Sequence, residues 1–280
     1  MRLIPSLLAF CLALPVLADD GALVALQTAD DSRGWEAVGR LNLGDRGFCT
    51  GALIAEDLVL TAAHCLFDKE TGARVDATKM EFLAGWRNGR ALAYRGVKKA
   101  LPHPDYVYAG DTGTARVAHD LALIQLDQPI RLPNLQPFVV DSTVATGDTV
   151  GVVSYAQDRA DVPSLQDTCA VIAAEPDALI LSCSVDFGSS GAPVFSVHDG
   201  VVKIASVVSA KAQLEGNPVA LGVPLQEPLA QLMAAIVAVP EGRGGVRMLS
   251  GGGSALNSGG GGARNPGGAK FIKATPVPAP

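Results

Sequence analysis

Between residues 35 and about 235 the sequence is a succession of short apolar runs, several of them alternating, each closed by Gly, Pro, Asn or Asp: AVGRLNLG, CTGALIAE, LVLTAA, LALIQLD, DTVGVVSYA, ALILSC, APVFSV and VVKIASVVSA. Runs of that length and period form strands, and many of them at short spacing specify an all-β barrel or sandwich. In SVHDGVVKIASVV the pair Asp199 and Gly200 supplies the tight turn of a hairpin. Near the end, Leu229, Leu232, Met233, Ile236 and Val237 recur at the spacing of one helical face, predicting a helix over 229–239 that packs on the barrel. The 280 residues accommodate one large all-β unit or two modest ones, and no unit repeats at a fixed period.

Both ends differ from this middle. Residues 1–18 carry one basic residue, Arg2, an apolar run from Leu3 to Leu14, and small residues at Val16 and Ala18, the pattern of a cleaved export signal. The run is too short, and too broken by Pro5 and Pro15, to serve as a membrane anchor. Residues 19–34 form an N-terminal segment before the strand-rich part. From 241 to 280 glycine and proline dominate, so this tail cannot bury enough apolar area to offset its ordering entropy. Without Arg2 the chain has 21 basic and 28 acidic residues, a net charge of −7, with none of the clustered cations of a nucleic-acid surface. Export implies an oxidising compartment, secreted or periplasmic. Cys49, Cys65, Cys169 and Cys183 then suggest two disulfides, for which three pairings exist; the nearest-neighbour choice joins Cys49 to Cys65 and Cys169 to Cys183. No C-x-x-C or H-E-x-x-H spacing occurs, so no metal is expected.

Three segments carry chemistry. TAAHC, residues 61–65, sets His64 beside Cys65 at the end of an apolar run. AHDLALIQLD, residues 118–127, begins an apolar strand with Asp120, whose charge is costly to bury without hydrogen-bond donors. DFGSSGAPVF, residues 186–195, crowds Ser189 and Ser190 between Gly188 and Gly191, which permit a bend that turns N–H groups outward. A hydroxyl, a base and a buried anion are the parts of nucleophilic acyl transfer. His103, Asp105 and His198 read as structural, and His119 as a surface residue, since neighbours in a strand point to opposite faces.

In this order, TAAHC, HDLALIQLD and GSSGAP resemble the motifs of the chymotrypsin-type (trypsin-like) serine peptidases, and HPDY at 103–106 resembles the segment leading to their aspartate. The resemblance extends over Trp35 to Val239. It implies two six-stranded antiparallel β-barrels, at about 35–132 and 133–228, with a C-terminal helix and the site in the cleft between them. It also implies His64 as general base, Asp120 as orienting carboxylate, Ser190 as nucleophile, and the N–H groups of Gly188 and Ser190 as oxyanion hole. Cys49–Cys65 and Cys169–Cys183 match two of the family's bridges. A polypeptide substrate, no cofactor, no nucleic acid and a monomeric state follow.

The pattern is broken in three places. The family's aspartate before the nucleophile is Ser189, and no I-V-G-G sequence follows the signal, so the family's amino-terminal activation switch lacks its charge partner. A preformed loop held by the Ser189 hydroxyl and neighbouring backbone is the expectation; a catalytically silent homologue acting as a binding module is the alternative. A third bridge near the specificity pocket is missing, because Asp186 stands at its cysteine. Counting from Ser190 puts Ser184 at the pocket floor, and aligning ASVVSA with the family's Ser-Trp-Gly strand puts Ser206 and Val208 on its wall, favouring small apolar side chains before the scissile bond.

Overall fold

The computed structural model describes residues 21–108 and 114–238. The export signal at 1–18 and the tail at 241–280 lie outside the described residues.

The first strand, β1 (Val24–Ala25), belongs to the segment expected to precede the domain. It is followed by β2 (Val38–Leu43), β3 (Phe48–Ala55), β4 (Leu58–Thr61), β5 (Met80–Ala84), β6 (Ala93–Pro102), the short helix α1 (Thr114–Ala118) and β7 (Ala122–Leu126). Strands β2 to β7 close into a barrel in the order β2-β3-β4-β7-β6-β5. Alternation along them points Leu41, Leu53, Leu60, Phe82 and Leu123 inward, where each is fully buried. Burial of one such side chain contributes roughly 1.5–3 kcal/mol.

The second half contains β8 (Thr149–Ala156), β9 (Arg159–Ala174), β10 (Leu179–Leu181), β11 (Pro193–His198), β12 (Val201–Leu214), β13 (Asn217–Pro224) and the helix α2 (Gln226–Ala238). Its sheet runs β9-β10-β13-β12-β11-β8, and pairing of β8 with β9 closes the second six-stranded antiparallel barrel. Val150, Val152, Val171, Leu181, Val194 and Val208 pack inside it with the Cys169–Cys183 disulfide. β1 adds to β9, with Val24 opposite Leu165, so the N-terminal segment extends this barrel's sheet, and Leu26 is buried.

Asp199 and Gly200 form the β11–β12 turn with φ of 53° and 75°, the left-handed pair that a two-residue hairpin requires. α2 begins earlier than its apolar spacing predicts and lies against β6 and β7 of the first barrel. Only part of its predicted face is covered: Leu232 and Ile236 are buried, whereas Met233 is 40 % and Val237 83 % exposed. Among the described residues no helix is long and apolar enough to cross a membrane.

Candidate active site

His64 lies on a single 3-10 turn, Ala63–Leu66, entered directly from β4. Cys65, buried beside it, is joined to Cys49 on β3, which fixes the turn against the barrel wall. Asp120 precedes β7. Its N–H donates to Val117 and the next N–H, that of Leu121, donates to the His119 carbonyl at 2.7 Å, so the chain turns tightly here. The strand-alternation argument for His119 therefore does not apply. Its ring is half-buried, tilted against buried His103 with centroids 4.9 Å apart. His103 Nδ1 accepts the Asp105 N–H at 3.2 Å, a structural bond within the loop.

Asp120 is 2 % exposed and accepts three hydrogen bonds. The His64 backbone N–H donates to Oδ1 at 2.8 Å; Oδ2 lies 2.7 Å from His64 Nδ1 and accepts the Ser209 hydroxyl at 2.5 Å. Burial pushes the carboxyl pKa up, but the His64 charge and the bonds from His64 and Ser209 outweigh it and hold the group below the ordinary carboxylate range. A carboxylate so held fixes the imidazole with its proton on Nδ1 and leaves Nε2 free to accept one.

His64, Asp120 and Ser190 border one cleft of about 360 Å³. The loop bearing Ser190 is pinned from both barrels. Thr50 of β3 donates its N–H to the Ser190 carbonyl at 2.9 Å and its hydroxyl to the Gly188 carbonyl at 2.8 Å, and accepts the Tyr155 N–H from β8 at 3.1 Å. Two other carbonyls of the loop fix its donors. The Phe187 carbonyl accepts the Gln157 N–H at 2.7 Å, and the Ser189 carbonyl accepts the Ala192 N–H at 3.0 Å. In a trans peptide C=O and N–H point in opposite directions. The Gly188 and Ser190 N–H groups therefore face away from those partners, and among the described residues neither donates within the protein. This geometry suits an incoming oxyanion.

Of the residues assigned to the specificity pocket, Val208 borders the cleft. Ser206 and Ser184 do not: the Ser206 hydroxyl is turned to the Val223 carbonyl, and the Ser184 N–H is bonded to Gln166. Ser209 is the serine that reaches Asp120. It is the extra residue of a β-bulge, since Val208 pairs with Gly222 and Ala210 with Leu221, and a bulge shifts every position counted along a strand. The mouth of the cleft carries Asp186, which stands where the family's third bridge is missing and pairs with Lys211 at 2.9 Å, and Phe187, whose ring lies under Lys69 and Lys211.

The model of the trypsin family matches residues 27–178. A glutamyl endopeptidase of Bacillus licheniformis is 25% identical over 150 residues, 53% of this chain and 45% of that protein. Serine protease 56 of Mus musculus is 36% identical over 110 residues, 39% of this chain and 16% of that protein. The chain thus spans less than half the length of these curated relatives. Among solved structures, that of a Glu endopeptidase in complex with MPD superposes with a TM-score of 0.62 at 18% identity, covering 79% of this chain and 99% of the other, a likeness of fold.

Proposed function

Because the chain belongs to the trypsin family, we propose that it is a serine endopeptidase whose triad is Ser190, His64 and Asp120. Ser190 Oγ forms a bond to the scissile carbonyl carbon as its proton passes to His64 Nε2, and the Gly188 and Ser190 N–H groups take the oxyanion. The C–N bond then breaks, His64 returns the proton to the leaving amine, and water hydrolyses the acyl-enzyme by the same path. The observation that carries this reading is the 2.7 Å contact of His64 Nδ1 with the buried Asp120 carboxylate on a cleft that Ser190 also borders. The two disulfides favour a secreted or periplasmic location.

A fluorophosphonate probe tests the reading. The mature protein is expected to be labelled covalently, and Ser190→Ala to abolish the label. A folded wild-type sample that takes no label supports the binding-module alternative instead.

For the residue before the scissile bond, the apolar lining of Val185, Val208, Ala210, Ala212 and Leu221 favours a small uncharged side chain, since Asp186 and Lys211 neutralise each other. A second reading is favoured by Lys69 and Arg116 on the same cleft, cations that suit an acidic side chain, as the name of the Bacillus relative suggests. Profiling a peptide library separates them: cleavage after Ala or Val supports the first, cleavage after Glu or Asp the second, and dominant cleavage after Lys or Arg overturns both.

A further inference from the structure

Ser189 stands where the resemblance leads one to expect an aspartate, yet its surroundings are not those of an ordinary turn serine. It is fully buried, and its hydroxyl has four polar neighbours. The Arg159 Nη2 lies 3.3 Å away, the Asp186 N–H 3.4 Å, the Ser154 hydroxyl 3.3 Å and the Tyr155 carbonyl 3.3 Å. A hydroxyl has one hydrogen to give and two lone pairs. Arg159 and Asp186 can fill the lone pairs while the hydrogen goes to Tyr155, so the group is used to capacity.

The guanidinium that completes this set is also held by Ser154. Arg159 Nη1 donates to the Ser154 carbonyl at 2.5 Å and Nη2 to the Ser154 hydroxyl at 3.0 Å. Its side chain is 17 % exposed. Burial lowers its pKa from the usual arginine value, an effect opposed by the nearby carboxylates of Asp158 and Asp186. Burying a charged fork is costly unless its N–H groups find acceptors, and here Nη1 and Nη2 find them on Ser154 and Ser189. Arg159 also opens β9 directly opposite Ala156, so the same two-residue turn that presents it presents the Gln157 N–H to the Phe187 carbonyl. One hairpin tip thus orients the Gly188 peptide through Gln157 and anchors the Ser189 side chain through Arg159.

We propose that Arg159 is a positioning residue: from the β8–β9 turn it holds the Ser189 loop so that the Gly188 and Ser190 N–H groups face the cleft without any contribution from a charged amino terminus. The inference rests on the proteolytic reading. Arg159 touches no substrate in this scheme; it acts through Ser189, and its loss lets the loop leave the orientation that the oxyanion requires while the rest of the cleft persists.

The test compares the mature wild-type protein with Arg159→Met, which keeps the stem and removes the fork, and with Ser189→Ala, which removes the hydroxyl at almost constant volume. Arg159→Met is expected to lower kcat and the fluorophosphonate labelling rate together by about tenfold or more, with KM within about twofold. Ser189→Ala is expected to shift both in the same direction by a smaller factor. A folded Arg159→Met protein with wild-type kcat and labelling rate overturns the inference, even if its melting temperature falls. Should Arg159→Met fail to fold, Ser189→Ala decides alone, and an unchanged kcat there overturns it. A wild-type protein that takes no label removes the proteolytic reading itself, an outcome visible before either variant is made.

Discussion

Asp120→Asn is expected to lower kcat by about 10⁴ with little change in fold, a loss of the size that triads of this type show when the carboxylate becomes an amide. Two donors from one residue dictate the outcome. The His64 backbone N–H points at Oδ1 and cannot become an acceptor, so the amide oxygen must occupy that side. The NH₂ group then falls on the Oδ2 side, facing His64 Nδ1 and the Ser209 hydroxyl. Serine can reverse its bond and accept. Histidine can do so only by moving its proton from Nδ1 to Nε2, and an imidazole protonated on Nε2 has no lone pair for the Ser190 proton. Steady-state hydrolysis of a peptide ester or amide measures the effect. The circular dichroism spectrum and melting temperature establish that the fold is retained. A kcat within tenfold of wild type in a folded Asp120→Asn protein would remove Asp120 from the role assigned to it.

The strands and the three ordered segments were legible because each follows a local rule: alternation for the strands, and fixed short spacing for TAAHC, HDLALIQLD and GSSGAP. What escaped depends on departures from such rules. Ser209 was missed in favour of Ser206 because ASVVSA offers two serines to the family's Ser-Trp-Gly pattern, and the bulge at Ser209 leaves no mark in the sequence. His119 was placed on a strand face although the chain turns at Asp120 before β7 begins. Gln157 and Arg159 sit on a polar hairpin tip that no motif distinguishes, and their roles arise only from a pairing across 30 residues of sequence. Thr50, next to Cys49, left no more signal than any strand threonine; its value comes from lying where the two barrels meet. β1 is two residues long and gains its partner from β9, far along the chain.

Gly188→Ala is the second large effect, expected to lower kcat by about 10² to 10³, the range reported for loss of one oxyanion donor. Glycine is required here for two separable reasons. At φ of 97° an alanine is strained regardless of its neighbours. A Cβ built at this position would also lie 2.6 Å from Phe48 Cε2 and 3.0 Å from the Ala156 Cα. Relief of either strain means rotating the Gly188 peptide, and rotation breaks the Gln157–Phe187 bond or withdraws the N–H from the cleft. The double variant Gly188→Ala with Phe48→Ala separates the causes. Removing the ring abolishes the side-chain clash but leaves both the positive φ and the Ala156 backbone in place. The double variant is therefore expected to keep kcat depressed by at least about tenfold. Full recovery of kcat would mean that the peptide at 188 tolerates alanine once the ring is gone, and that its backbone angle does not set the direction of the N–H.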